Sequence, residues 1–227
     1  MSPVAGSAWR RWGLADPATS KGTAVIKRPW GLAVLAAALC TTTMAAGQSA
    51  SSDDLGIGKL LVSSKGLPDP NFAKSVILLI QYDQQGAVGL AINRRTEAPI
   101  SRVLQGVDTA KHASDPIYIG GPVELGTVLA LVKSPKKLDD STSVLSDVYL
   151  VPTKPALEKA LAASSGSGEV RVYLGYCGWG AGQLENEVRQ GGWWIFAANA
   201  GVVFDPNPGS LWPRLIVRTE QQIAEAR

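Results

Sequence analysis

The sequence predicts an α+β fold: one compact domain built on a mostly antiparallel β-sheet with a few short helices. Three stretches carry that prediction. From Val170 to Leu174, apolar Val170, Val172 and Leu174 alternate with Arg171 and Tyr173, the period of a strand buried on one face. After a glycine-rich passage, QLENEVRQ reads as one short helix, with Leu184 and Val188 inward and Glu185, Glu187 and Arg189 turned outward. Finally, Val76 to Tyr82 and Val88 to Arg94 flank Asp83-Gln-Gln-Gly86. Aspartate and glycine suit the first and fourth positions of a type I turn, so this pair is a hairpin.

The chain opens with a leader rather than a domain. Met1 to Gly47 holds five bases, Arg10, Arg11, Lys21, Lys27 and Arg28, against the single acid Asp16. Behind Lys27-Arg28, the ten residues from Gly31 to Cys40 are apolar, and small residues follow, the layout of a secretory signal peptide. Ten apolar residues fall short of the roughly 20 that a membrane span needs. Cleavage is expected between Ala46 and Ser52, with 48–57 as linker, 58–218 as the domain and 219–227 as a solvated helical tail. The mature protein is then exported, periplasmic or otherwise extracytoplasmic. The alternatives are a cytoplasmic chain or an organelle-targeted one, and a true start near Val25 would give a leader of ordinary length.

Removing the leader changes the charge argument. The chain carries 22 Lys and Arg against 19 Asp and Glu, and without the leader 17 and 18 remain, a net of −1. A near-neutral domain lacks the electrostatic footprint of a nucleic-acid surface, so no nucleic acid is expected as a partner. About 180 mature residues fit a single core. Once Cys40 has left, Cys177 is the only cysteine, which excludes an intramolecular disulfide and a cysteine-based zinc cluster. His112, the only histidine, sits in the polar loop DTAKHASDP.

Gly58 to Ser63 and Ser75 to Tyr82 read as strands joined by Gly66-Leu-Pro-Asp-Pro-Asn71, a run of turn residues. Asp69, between two prolines, either closes an Asx-type turn or, with Asn71, faces a ligand. Asn93 ends the hairpin's second strand at one edge and joins the same candidate surface. A short helix is expected at Ile100 to Gly106. Ile117 to Pro122 is a strand running into Gly120, Gly121 and a proline; the glycine pair is a tight turn or bulge, or it offers N–H groups to an anion. Thr127 to Val132 and Val148 to Pro152 are strands around a surface loop, Lys133 to Ser146. The clearest helix is Thr153 to Ala163, with proline in its first turn and Leu157 and Leu161 inward. Gly178, Trp179, Gly180, Gln183 and Glu185 cluster in and after a turn. Trp179 either fills a core corner or lines a ligand or partner surface, and Gln183 either satisfies a backbone group or binds. Gly191-Gly192 ends the helix, Trp193 to Phe196 is a strand, and Val202 to Phe204 and Leu215 to Val217 finish the sheet.

No catalytic residue and no metal ligand is assigned. A Ser-His-Asp triad would need His112 as base, and no G-x-S-x-G elbow is present. A Cys-His pair would need Cys177 to meet the same loop. Glu185 and Glu187, at i and i+2, diverge on a helix and would not share a substrate.

GYCGWGAGQLENEV followed by Trp193 resembles the YqgE/AlgH family, as do GKLLVSSKGLPDPNFAKSVILLI, GAVGLAINR, IGGPVE and the apolar run at Val128 to Val132. The likeness spans Gly58 to Arg218 in the same order and includes Asn93 and Arg94. It implies one α+β domain on a coiled, bifurcated sheet, without an established reaction, in a family often labelled as transcriptional regulators; no cofactor is expected. Relatives often carry histidines after the second strand and after the glycine-pair motif. Tyr82 and Leu131 stand near those places here, which weakens a histidine-dependent activity. The reading is therefore a non-catalytic regulatory or binding module acting through a protein or small-molecule ligand. Its alternative is an enzyme, or an anion- or nucleotide-binding protein, using the Gly-Gly-Pro and Gly-Trp-Gly turns.

Overall fold

The computed structural model describes residues 52–104, 114–165 and 168–225. The leader and its cleavage region, His112 and Gly166-Ser167 lie outside the described residues. After a 3-10 turn at Ser52–Asp54 come β1 (Lys59–Ser63), β2 (Val76–Asp83), β3 (Gly86–Ala91), β4 (Arg95–Pro99) and α1 (Ile100–Val103). Then follow β5 (Pro116–Ile119), β6 (Val123–Lys133), β7 (Thr142–Leu145), β8 (Val148–Val151) and α2 (Lys154–Ala163). The chain closes with β9 (Val170–Gly180), α3 (Gln183–Arg189), β10 (Trp193–Ala197), α4 (Ala200–Val203) and α5 (Leu211–Glu225).

The strands form one curled sheet in the order β10-β1-β2-β3-β9-β6-β8-β7, antiparallel throughout. It forks at β9. The first half of β9 lies between β6 and β5, which runs parallel to it and carries β4, while Cys177 to Gly180 pair with β3. This is the single α+β domain expected, with the bifurcated sheet that the resemblance implied. The curl brings β7 back to the start of β1: a Cβ on Gly58 would lie 2.8 Å from the Val144 carbonyl oxygen.

Alternate residues of the central strands enter cores on opposite faces. Leu60, Val62, Leu78 and Leu90 pack with Leu211, Leu215 and Ile216 of α5. Leu61, Ile77 and Leu79 pack with Leu184 and Val188 of α3. The second half of the sheet rests on α2 through Ala130, Val151, Leu157 and Leu161. The run from Val76 to Ile80 is buried at every position for that reason. Thr153 caps α2 by accepting the Ala156 N–H at 3.4 Å.

Several expectations are corrected. The glycine-rich passage does not turn: β9 runs unbroken to Gly180, buried on both faces, with Arg171 and Tyr173 inside as well as the valines. Arg171 is held between the rings of Tyr118 and Phe204, 4.8 and 5.6 Å from their centroids, and donates to the Val203 and Asp205 carbonyls. Val202-Val203, which Phe204 caps, and Leu215 to Val217 are helical, not strands. Leu211, Leu215, Ile216 and Thr219 are buried at helical spacing while Val217 is 50% exposed, so the apolar run is one stripe and not a pleat. Thr219 is accordingly packed rather than solvated. The loop from Lys133 to Ser146 contains β7, and β4 follows directly on Arg94.

Candidate functional site

The glycine pair serves a chain crossing. A Cβ on Gly121 would lie 2.1 Å from the Tyr176 carbonyl carbon, and one on Gly120 would lie 2.3 Å from the Gly175 oxygen. Gly175 itself has φ 68°, so β9 and the chain entering β6 pass in near backbone contact. The Gly120 N–H donates to the Leu174 carbonyl at 2.8 Å, and its own carbonyl accepts from the Ala91 N–H at 2.7 Å and the Cys177 thiol at 3.3 Å. Both glycines are buried, and the Gly120 N–H has no capacity left for an anion. Gly178 and Gly180 pair in register with Val88 and Gly86, and neither has positive φ. The turn out of β9 is made instead by Gly182, at φ 74°.

Trp179 is core, 1% exposed, and not part of a ligand surface. It meets Trp193 edge-on at 6.0 Å, and Phe72 covers both indoles, stacked on Trp179 at 6.0 Å and edge-on to Trp193 at 5.8 Å. Both indole N–H groups converge on one oxygen, Glu187 Oε2, at 3.0 Å from Trp179 and 2.8 Å from Trp193. Gln183 Nε2 donates to Glu187 Oε1 at 3.0 Å, and Gln183 Oε1 accepts the Gly180 N–H at 3.2 Å. The side chain of Gln183 therefore ties the end of β9 to α3. Glu187 is not turned out to solvent: it flanks the Leu184–Val188 stripe and fastens α3 to two strands. Glu185 Oε1 accepts the Tyr82 hydroxyl at 2.7 Å. Burial, and after it Glu185, pushes that phenol up to about 12.

Loop 64–75 brings Phe72 to this node. Asp69 Oδ1 accepts the Asn71 N–H at 2.8 Å, an Asx turn. Asn93 is a staple: its Oδ1 accepts the Val76 N–H and its Nδ2 donates to the Lys74 carbonyl, both at 2.9 Å. Arg94 donates to Ser75 Oγ at 2.7 Å and to the Asn71 carbonyl. The exposed Asn71 is thus pinned through its backbone.

Between this loop and the α3–β10 turn lies a groove of about 330 Å³. Leu67, Pro68, Asp69 and Phe72 form one wall; Glu187 and Gln190 stand on the other, above Gly191-Gly192. Of the ten residues singled out in the sequence, only Asp69 lines it. Sequence reasoning missed Phe72, Glu187 and Gln190; the one local signal was Glu187 bordering an apolar stripe. Cys177 lies elsewhere, buried, its thiol pushed up to about 12 by burial. Among the described residues no group of His, Cys, Asp and Glu could hold a metal ion, and no helix is long and apolar enough to cross a membrane.

Residues 60–224 match the profile of the DUF179 family, described as AlgH-like. A UPF0301 protein of Streptomyces avermitilis is 34% identical over 178 residues, covering 74% of this chain and 88% of its own. A UPF0301 protein of Xanthomonas campestris is 36% identical over 158 residues, with 68% and 84% covered. Among solved structures, protein DIP2367 of Corynebacterium diphtheriae superposes with a TM-score of 0.63 at 22% identity, over 74% of this chain and 90% of that one; it speaks to the fold alone. The solution structure of AlgH from Pseudomonas aeruginosa gives 0.60 at 28% identity, over 71% and 87%. The chain belongs to the AlgH-like, UPF0301 family, the YqgE/AlgH family that its motifs resemble.

Proposed function

We propose that this domain is a non-catalytic binding module whose ligand seats in the groove between loop 64–75 and the α3–β10 turn. One observation carries the reading. The groove is walled by apolar and polar side chains whose positions are set from behind, by the Glu187–indole hydrogen bonds and by the Asn93 and Arg94 staples. Such a mixed, preformed concavity is what a ligand site requires. The non-catalytic side of the reading is supported by the state of Cys177, whose thiol is buried and protonated at neutral pH. Direct DNA binding is not part of the proposal, because the mature charge is −1. The basic-apolar-small leader supports export, and sequencing the N-terminus of mature protein should find a start between Ala46 and Ser52.

Gly66→Trp tests the site. Gly66 lines the groove and a Cβ there meets nothing within 4 Å, so the backbone has room for a side chain and an indole at this position is chosen to fill the groove. Capture of partners from extracts of the producing cells should be lost in this variant at unchanged melting temperature. Capture equal to the parent's would remove the groove as the site.

A further inference from the structure

We infer that the occupant of the groove is a guanidinium, the side chain of an arginine presented by a partner protein. This deepens the binding reading and rests on it. Two separate features select a cation. Asp69 and Glu187 both line the groove, and no Lys, Arg or His does. Two bases attached to the same loop are engaged, Lys65 with Glu220 and Arg94 with Ser75 and Asn71, and Lys74, the loop's other base, does not line the groove. The second feature is Phe72, a half-buried ring lining the same wall, whose π-face attracts a cation at short range.

The hydrogen-bond capacity favours guanidinium over ammonium. Asp69 uses Oδ1 for its turn, and its Oδ2 has no partner among the described residues. Glu187 accepts three donors, and a carboxylate offers about four lone-pair positions. A planar fork with five N–H donors can serve two carboxylates and still stack flat on an aromatic ring, a combination a compact ammonium with three donors matches less well. At about 330 Å³ the space suits one long side chain. A nucleotide would bring its phosphates against two carboxylates.

The test uses the mature domain labelled with nitrogen-15 and titrated with Nα-acetyl-arginine N-methylamide, its citrulline counterpart and inorganic phosphate. Citrulline keeps the shape and removes the charge. The expected result is movement of the Gly191, Gly192, Trp179 and Trp193 N–H resonances with the arginine compound. Affinity for the citrulline compound should be at least about tenfold lower, and phosphate should leave these resonances in place. Asp69→Asn, which keeps an oxygen for the turn, should weaken arginine binding several-fold at unchanged melting temperature. Equal binding of citrulline, unmoved groove resonances, or an Asp69→Asn variant that binds like the parent would each overturn the inference. If that happens while Gly66→Trp still abolishes capture, the guanidinium falls and the binding reading stands. If Gly66→Trp captures normally, the groove itself is wrong.

Discussion

Glu187 is the hub of the indole node. Its Oε2 accepts two indole N–H groups, from tryptophans that are each 1% exposed, and its Oε1 accepts Gln183. Glu187→Ala leaves both indole donors without their acceptor. A buried unsatisfied donor costs about 1–3 kcal/mol. Water reaching in from the groove keeps the sum toward the lower end, at about 2–4 kcal/mol. Glu187→Gln retains an oxygen that can accept both indoles; it loses the charge assistance and, with an amide NH2 facing Gln183 Nε2, the exposed Gln183 hydrogen bond, together about 1–1.5 kcal/mol. The two variants should therefore separate clearly in urea unfolding followed by tryptophan fluorescence, with unchanged m-values if both unfold the same surface. At this domain size, about 3 kcal/mol is also a drop of roughly 6–12 °C in Tm. Should Glu187→Ala unfold within about 0.5 kcal/mol of the parent, the convergence on Oε2 does not hold the node together.

Gly121→Ala places a Cβ 2.1 Å from the Tyr176 carbonyl carbon and should cost about 3 kcal/mol or more, whereas Gly180→Ala, with only Gln183 Oε1 at 4.0 Å, should stay within about 1 kcal/mol of the parent; equal melts would refute the crossing argument. Cys177 should not react with thiol reagents at neutral pH until the protein unfolds, and prompt labelling of the native protein would contradict its burial. Tyr82 is raised from an ordinary value near 10 to about 12, so its neutral form favours the fold below pH ~10 and that contribution is lost as pH rises through 12. In a tyrosinate absorbance titration, Glu185→Gln should lower this transition only part of the way, because burial is the larger cause; a full return to 10 would reverse that order.

The parts legible in the sequence were those whose partners lie close by in the chain. The β2–β3 hairpin and α2 are each written within about twenty residues, through a turn and a proline-led, threonine-capped helical stripe. The apolar run Leu215-Ile-Val217, two of its residues β-branched, suggested a strand, but Leu215 and Ile216 pack inside with Leu211 and Thr219 while Val217 is exposed, the stripe of a helix. The glycines of β9 suggested a turn because a missing Cβ has two meanings, conformational freedom or close approach. In Gly120 and Gly121 the meaning is close approach, and the neighbouring backbone that decides it lies more than fifty residues away at Tyr176. The groove was illegible for the same reason. Asp69 and Glu187 are far apart in sequence, and the antiparallel pairing of β1 with β10, which sets Ser63 opposite Trp193, brings their segments together.

Site-specific photocrosslinking in the producing cells tests the central claim most directly. A photoreactive phenylalanine replaces Pro68 or Gln190, in the groove, or Leu125, 56% exposed on a bulge of β6 outside it. The account predicts one discrete protein adduct from positions 68 and 190, abolished by Gly66→Trp, and none from position 125. An adduct from position 125 with none from the groove would contradict it.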